Sequence, residues 1–79
     1  MTLFYFCAFI LDGRVVMVGA DPSNPPFVPT LDPKPDLVIV GTALGPSVDA
    51  SVLYPLASWD GKIVSIEGAT ILSHKTLEP

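Results

Sequence analysis

The sequence predicts a small all-β domain, a barrel or a sandwich of about six short antiparallel strands with a long proline-rich extended arm. Three observations predict this class. Short apolar segments are separated by turn residues, and two of these segments are followed by Asp-Gly, a strong hairpin signal. No segment repeats its apolar residues with the helical period of about 3.6 residues. Prolines recur between residues 20 and 36, where they exclude both a helix and a central strand.

The first strand is expected at residues 2–11, which are apolar on both faces. One face carries Leu3, Tyr5, Cys7, Phe9 and Leu11, and the other carries Phe4, Phe6, Ala8 and Ile10. A strand of this kind is either central between two layers or half buried in a partner.

A hairpin through Asp12-Gly13 is expected to join this strand to a second one at residues 15–18. Glycine favours such a turn because it tolerates the positive φ that type I′ requires. A two-residue loop sets the cross-strand partners as Leu11 with Arg14, Phe9 with Val16 and Cys7 with Val18.

Residues 20–36 form the predicted arm, with polyproline II character. Two interpretations remain open. The arm is either a connection that crosses the end of the barrel or sandwich, or a segment that lies on a neighbouring subunit. In the second case Phe27, Val28 and Leu31 are its anchors.

The second half of the chain predicts further short strands. They are expected at residues 37–42, 51–59, 62–66 and 69–73, with a loop at 43–49 and a fraying tail at 74–79. Pro55 assigns residues 51–59 to an edge or a bulge. Residues 12–18 and 60–66 resemble each other, which fits either a duplicated hairpin or the common pattern of any exposed hairpin. Similar Asp-Gly strings occur near the start of amidohydrolase chains, a resemblance that covers one hairpin only and lacks that family's His-x-His motif.

Composition limits the function classes. The 79 residues are enough for a single domain, residues 1–79, whose net charge of −4 and scattered cations argue against nucleic-acid binding. Its hydrophobic fraction is 49% and its charged fraction 15%, against about 25% charged residues in ordinary domains. The surplus of apolar surface predicts a homo-oligomer or a larger protein assembly. The apolar stretch at residues 3–11 is far shorter than the roughly 20 residues of a membrane span.

No residue is predicted to be catalytic, to bind a cofactor or to bind a metal. Cys7 lies among aromatic residues, where a buried neutral thiol is expected. His74 stands beside Lys75 and is expected to be solvated. The carboxylates are spread singly, and the spacing of Asp32 and Asp36 does not match a calcium loop.

The function expected from these features is that of a non-enzymatic structural or assembly subunit acting through protein–protein contacts. A virion accessory, such as a capsid decoration or cement protein, is a role of this kind; a soluble protein is expected, although its compartment stays open. The expected interface residues are Phe4, Phe6, Phe27, Val28, Leu31 and Trp59. One alternative is a β-barrel module that binds an apolar ligand at a mouth lined by Phe4, Tyr5, Phe6 and Phe9. Another is an enzyme whose site is shared between subunits.

Replacing Phe9 with alanine should cost roughly 3–5 kcal/mol of folding free energy, because a large side chain is removed from the predicted core. A loss of this size would unfold a marginally stable domain. Thermal denaturation followed by circular dichroism measures the effect. A variant that melts within a few degrees of wild type would show that the core lies elsewhere.

Overall fold

The computed structural model describes residues 1–25 and 35–76. Six strands and one short 3₁₀ helix lie within these ranges. In chain order they are β1 (Thr2–Leu11), β2 (Arg14–Asp21), β3 (Leu37–Gly45), the 3₁₀ helix (Ala50–Leu56), β4 (Ala57–Trp59), β5 (Val64–Ile66) and β6 (Thr70–Thr76). Strands β2, β1, β3 and β6 form one antiparallel sheet in that order, and β4 pairs with β5 in a second sheet.

The all-β class predicted from the sequence is confirmed. Closure of the strands into a barrel is not shown, because β2 and β6 are the outer strands of the larger sheet. Strand β1 lies between β2 and β3, so both of its edges are paired, and both of its faces carry buried side chains.

The first hairpin has the predicted turn. Asp12 and Gly13 both have positive φ, 54° and 76°, as a two-residue type I′ loop requires. The register Leu11–Arg14 and Phe9–Val16 is confirmed. The third predicted pair, Cys7 with Val18, is wrong. Cys7 faces Gly19 and Ala8 faces Met17, so Val18 is the extra residue of a β-bulge.

The main core lies on one face of the four-stranded sheet. Phe4, Phe6, Ala8 and Ile10 of β1 point to this face together with Leu37, Ile39 and Ala43 of β3. The 3₁₀ helix contributes Leu53 and the small hairpin contributes Val64 and Ile66, so these two elements cover the face. The alternation predicted for residues 2–11 therefore places its even-numbered residues in this core.

A smaller cluster lies on the opposite face of the same sheet. Cys7, Phe9 and Val38 are buried there, and Val40 packs against them. Because Cys7 pairs with Val40 and Phe9 with Val38, the cluster is built from two adjacent cross-strand pairs. Both faces of β1 are thus buried over its middle, as its sequence predicts.

The strand predicted at residues 51–59 is wrong for most of its length, because residues 50–56 form the 3₁₀ helix. Asp49 begins this helix, and its carboxylate accepts a 2.9 Å hydrogen bond from the backbone N–H of Ser51. Pro55 lies within the helix and offers no N–H to a strand ladder. Only Ala57–Trp59 is extended.

Other strand boundaries also differ from the sequence predictions: β2 continues to Asp21 beyond residue 18, and β5 begins at Val64 instead of residue 62. Two more strands are longer than predicted. Strand β3 continues to Gly45 instead of ending at residue 42, because residues 43–45 pair with the first residues of β1. Strand β6 continues to Thr76, so the start of the predicted fraying tail is paired with β3. In both cases a partner strand distant in sequence extends the element.

The predicted arm at residues 20–36 is described only at its two ends. Ala20 and Asp21 still belong to β2, and the Asp21 carboxylate accepts 2.8 Å hydrogen bonds from the N–H groups of Ser23 and Asn24. At the other end, the N–H of Asp36 donates to the carbonyl oxygen of Ile10 at 2.9 Å. Residues 26–34 lie outside the described part of the chain.

The two Asp-Gly turns differ in structure despite their similar sequences. The first is a two-residue loop between paired strands, with Asp12 itself at positive φ. In the second, only Gly61 has positive φ, and the Asp60 carboxylate accepts 2.8 Å hydrogen bonds from the N–H groups of Lys62 and Ile63. The similarity of the two sequences therefore does not extend to the geometry of the turns.

Replacing Gly41 with alanine should destabilise the fold by about 1–3 kcal/mol. A Cβ at this position would lie 2.8 and 2.9 Å from Cζ and Cε1 of Phe6, and it would also meet the backbone oxygen of Thr70. Urea denaturation measures the loss. Gly45→Ala in the same strand is the matched control, because its Cβ would meet nothing closer than 3.1 Å. Equal stability losses for the two variants would contradict the prediction.

Candidate protein–protein interface

Several large apolar side chains are exposed on the described surface. They are Met1, Leu3, Val18, Leu44, Val48, Tyr54, Leu56, Ile63 and Leu72. Isolated exposed apolar residues are common, so a candidate interface requires neighbours that share one face. The sheet register identifies such a pair.

Leu3 of β1 and Leu44 of β3 are direct cross-strand partners, here called the Leu3–Leu44 patch. Leu3 is 61% exposed and Leu44 is 54% exposed. They lie on the same face as the Cys7–Phe9 cluster, separated from it by the half-buried pair of Tyr5 and Thr42. This face is therefore buried over its middle and open at the end of β1 and β3 that carries the two leucines.

Phe4 and Phe6, which the sequence predicts to contact a partner, are instead core residues. Both are fully buried within this chain, where Phe4 pairs with Ala43 and Phe6 pairs with Gly41 on the main-core face. They have no exposed surface to offer a second protein. The strand alternation that buries them is the same alternation that exposes Leu3 on the other face.

Trp59 lies in β4, opposite Val64 of β5, and its partly buried ring packs against the main core. Leu56 and Ile63, which precede the two strands of this hairpin, are exposed. The hairpin thus presents apolar surface beside a tryptophan that contributes to the core. Phe27, Val28 and Leu31, the other predicted interface residues, lie outside the described part of the chain.

A groove of about 380 Å³ separates β2 from the 3₁₀ helix. Its walls combine apolar and polar groups, from Met17, Val18, Gly19, Ala20, Val48, Asp49, Ala50, Ser51 and Tyr54. The Tyr54 hydroxyl accepts a 2.9 Å hydrogen bond from the N–H of Met17. This bond satisfies one donor on the outer side of β2, so the helix partly covers that sheet edge.

Both outer strands of the four-stranded sheet carry β-bulges. Val18 is the extra residue in β2, and Leu72 is the extra residue in β6, where Val40 pairs with Ser73 and Gly41 with Ile71. Bulges twist an edge and interrupt its ladder, which hinders pairing with another strand. The geometry therefore favours contact through an exposed face over extension of the sheet.

The titratable side chains have structural roles. Burial raises the pKa of the Cys7 thiol, in agreement with the expected buried neutral cysteine. The hydroxyl and N–H of Ser51 lower the pKa of Asp49, and the N–H groups of Ser23 and Asn24 lower that of Asp21. These carboxylates are occupied in capping and turn formation.

His74 is exposed, as predicted, but it also accepts a hydrogen bond from the backbone of β5. Within residues 1–25 and 35–76, no three His, Cys, Asp or Glu side chains are grouped so that they could hold a metal ion. The helical segment of these ranges, Ala50–Leu56, falls far short of the length that a bilayer requires.

The sequence matches no protein-family model, and comparison with curated proteins and with solved structures likewise gives no significant match. Assignment of a function therefore depends on the surface and contacts of this chain. The sequence indicates the Leu3–Leu44 patch only when the third strand, predicted to end at residue 42, is extended to residue 45. That extension places Leu44 opposite Leu3 by simple alternation.

Replacing Tyr54 with phenylalanine should accelerate hydrogen exchange at the Met17 amide about fivefold, because one hydrogen bond worth about 1 kcal/mol is lost. Global stability should fall by no more than that amount, since water can reach the exposed N–H. Hydrogen exchange followed by NMR measures both effects. The amide of Phe9 in the inner strand β1 is the internal control. An unchanged exchange rate at Met17 would contradict the assigned bond.

Proposed function

We propose that the protein is a non-enzymatic assembly subunit that acts through protein–protein contacts, with a homo-oligomer as its simplest form. The observation that carries this proposal is the Leu3–Leu44 patch. Two leucines that are more than half exposed stand side by side on a sheet face whose middle is buried. Extending that buried face with a second protein surface removes both leucines from water.

The energetic gain from such a contact comes from apolar burial. Complete burial of one leucine side chain is worth about 1.5–3 kcal/mol. In a twofold symmetric contact each copy would bury its own pair, so four leucine side chains would contribute. The neighbouring pair, Tyr5 and Thr42, is uncharged and therefore adds no desolvation cost for a charge.

The charge of the chain affects association but does not define the contact. At −4 per copy, two copies repel each other at long range, and salt screens this repulsion. Asp21 lies opposite Tyr5 on β2, at the rim of the patch, and its carboxylate is engaged by the turn that follows it. Association driven by the patch is therefore expected to strengthen with salt.

We extend the proposal to the residues that the sequence singled out for assembly. Trp59 and its exposed hairpin neighbours are a second candidate contact, and Phe27, Val28 and Leu31 are candidate anchors of the arm. A virion accessory such as a capsid decoration or cement protein is the role that we propose for a small subunit of this kind. The supporting features are a compact β body, few charges and an exposed apolar face.

The alternative of an apolar-ligand module requires a different site from the one first predicted. Phe4, Phe6 and Phe9 are fully buried in the two clusters and line no open mouth. Within the described residues, an apolar ligand would instead have to bind in the groove between β2 and the 3₁₀ helix. An enzyme with a site shared between subunits remains the third hypothesis.

Replacing either Leu3 or Leu44 with glutamate should weaken self-association while the fold is retained. The new carboxylate would have to be desolvated in the contact, so the dissociation constant should rise at least about tenfold, or about 1.4 kcal/mol. Sedimentation equilibrium and native mass spectrometry at low micromolar concentration measure the effect. Circular dichroism confirms that each variant is folded.

Leu72→Glu is the matched control, because Leu72 is a strand leucine with a similar exposure of 56% that lies outside the patch. It should leave the oligomeric mass unchanged. A wild-type monomer with a co-purified apolar ligand would favour the ligand-binding module. A ligand-free wild-type monomer, or an assembly that only Leu72→Glu disrupts, would refute the role of the Leu3–Leu44 patch.

A further inference from the structure

A side-chain hydrogen bond connects the four-stranded sheet to the small β4–β5 hairpin. The backbone N–H of Val64, the first residue of β5, donates to Nε2 of His74 in β6 at 3.1 Å. Val64 is buried, and it pairs with Trp59 across the hairpin. This contact therefore joins β6 to the strand that places Val64 and Ile66 in the main core.

The bond constrains the protonation of the histidine. Nε2 can accept a hydrogen only when the imidazole is neutral and carries its proton on Nδ1. A second proton would convert Nε2 into a donor that faces the donor N–H of Val64. Because imidazole side chains titrate between about pH 5 and 8, this loss of an acceptor falls within the physiological range.

One carboxylate, that of Asp60, interacts with the charge of His74. Asp60, in the turn before β5, has its pKa lowered chiefly by the N–H groups of Ile63 and Lys62 and to a smaller degree by the charge of His74. Its carboxylate is therefore ionised throughout the range in which imidazoles titrate. Lys62 in the same turn and Lys75 beside the histidine oppose the additional positive charge. On β3 the residue opposite His74 is the apolar Ile39.

We propose that His74 is a pH-sensitive contact that holds β5 when neutral and releases it when protonated. The hydrogen bond from Val64 is complete above the titration range of the ring and is lost as the pH falls through it. The change is local, because the bonds of the Asp60 carboxylate to the N–H groups of Lys62 and Ile63 do not involve the ring. The start of β5 loosens while the four-stranded sheet remains paired.

The experiment is an NMR titration of the ¹⁵N,¹³C-labelled wild-type protein from pH 8 to pH 5. The Val64 amide resonance should shift with the same midpoint as the ring resonances of His74. Exchange at Val64, corrected for the intrinsic pH dependence, should increase about fivefold on protonation, the factor expected for the loss of one hydrogen bond. The Phe9 amide in β1 should show no comparable change.

Two variants separate the parts of the proposal. His74→Gln supplies a side-chain oxygen that does not titrate, so the Val64 amide should no longer respond to pH. Asp60→Asn keeps an oxygen for the N–H groups of Lys62 and Ile63 but removes the charge. In that variant the Val64 response should persist, because the acceptor of its hydrogen bond is unchanged.

The wild-type titration decides the central claim even if a variant fails to fold. A Val64 amide that stays constant while the His74 ring titrates would overturn the proposal. So would a Val64 response that survives in a folded His74→Gln protein. Loss of the Val64 response in a folded Asp60→Asn protein would likewise contradict the role assigned to His74.

Discussion

Strand β1 carries large apolar side chains on both of its faces, and both faces are buried over the middle of the strand. One face is covered by the 3₁₀ helix and the β4–β5 hairpin, which bring Leu53, Val64 and Ile66 over Phe4 and Phe6. The other face is buried at its middle through Cys7, Phe9 and their partners on β3. Each face of a strand must be removed from water separately, because successive side chains point to opposite faces.

The same constraint explains where apolar surface remains. On the second face Cys7 is buried, whereas Leu3 is exposed. Leu3 near the start of β1 and its partner Leu44 near the end of β3 therefore remain in solvent. The bulges of β2 and β6 protect the sheet edges, while nothing within the described residues covers the two leucines. An assembly contact at this face would bury the two leucines that the described residues leave exposed. The function that we propose therefore depends on the apolar face that also contributes to the core.

Much of the fold could be predicted because its signals are local. The Asp12-Gly13 turn and the pairs that flank it depend on a few consecutive residues, and the structure confirms them. The register fails at Cys7, where the bulge at Val18 depends on how β2 fits its neighbours. The sequence does not predict the 3₁₀ helix, because Ser51 and Val52 are acceptable strand residues and only the contact of Asp49 with the Ser51 N–H marks the start of the helix. At the candidate interface, Phe4 and Phe6 were preferred because aromatic residues are typical of contacts, yet the same property buries them in the core.

The sequence by itself determined the all-β class, the two apolar faces of the first strand and its hairpin, since alternation and turn chemistry act between near neighbours. Only the tertiary structure decided which face of that strand is covered by the 3₁₀ helix and the β4–β5 hairpin, and therefore that Leu3 rather than Phe4 reaches the surface. It also decided that His74 meets the amide of Val64, a contact between two different sheets. Both features depend on chain segments that meet only after folding, and no short stretch of sequence shows which distant segments will be neighbours.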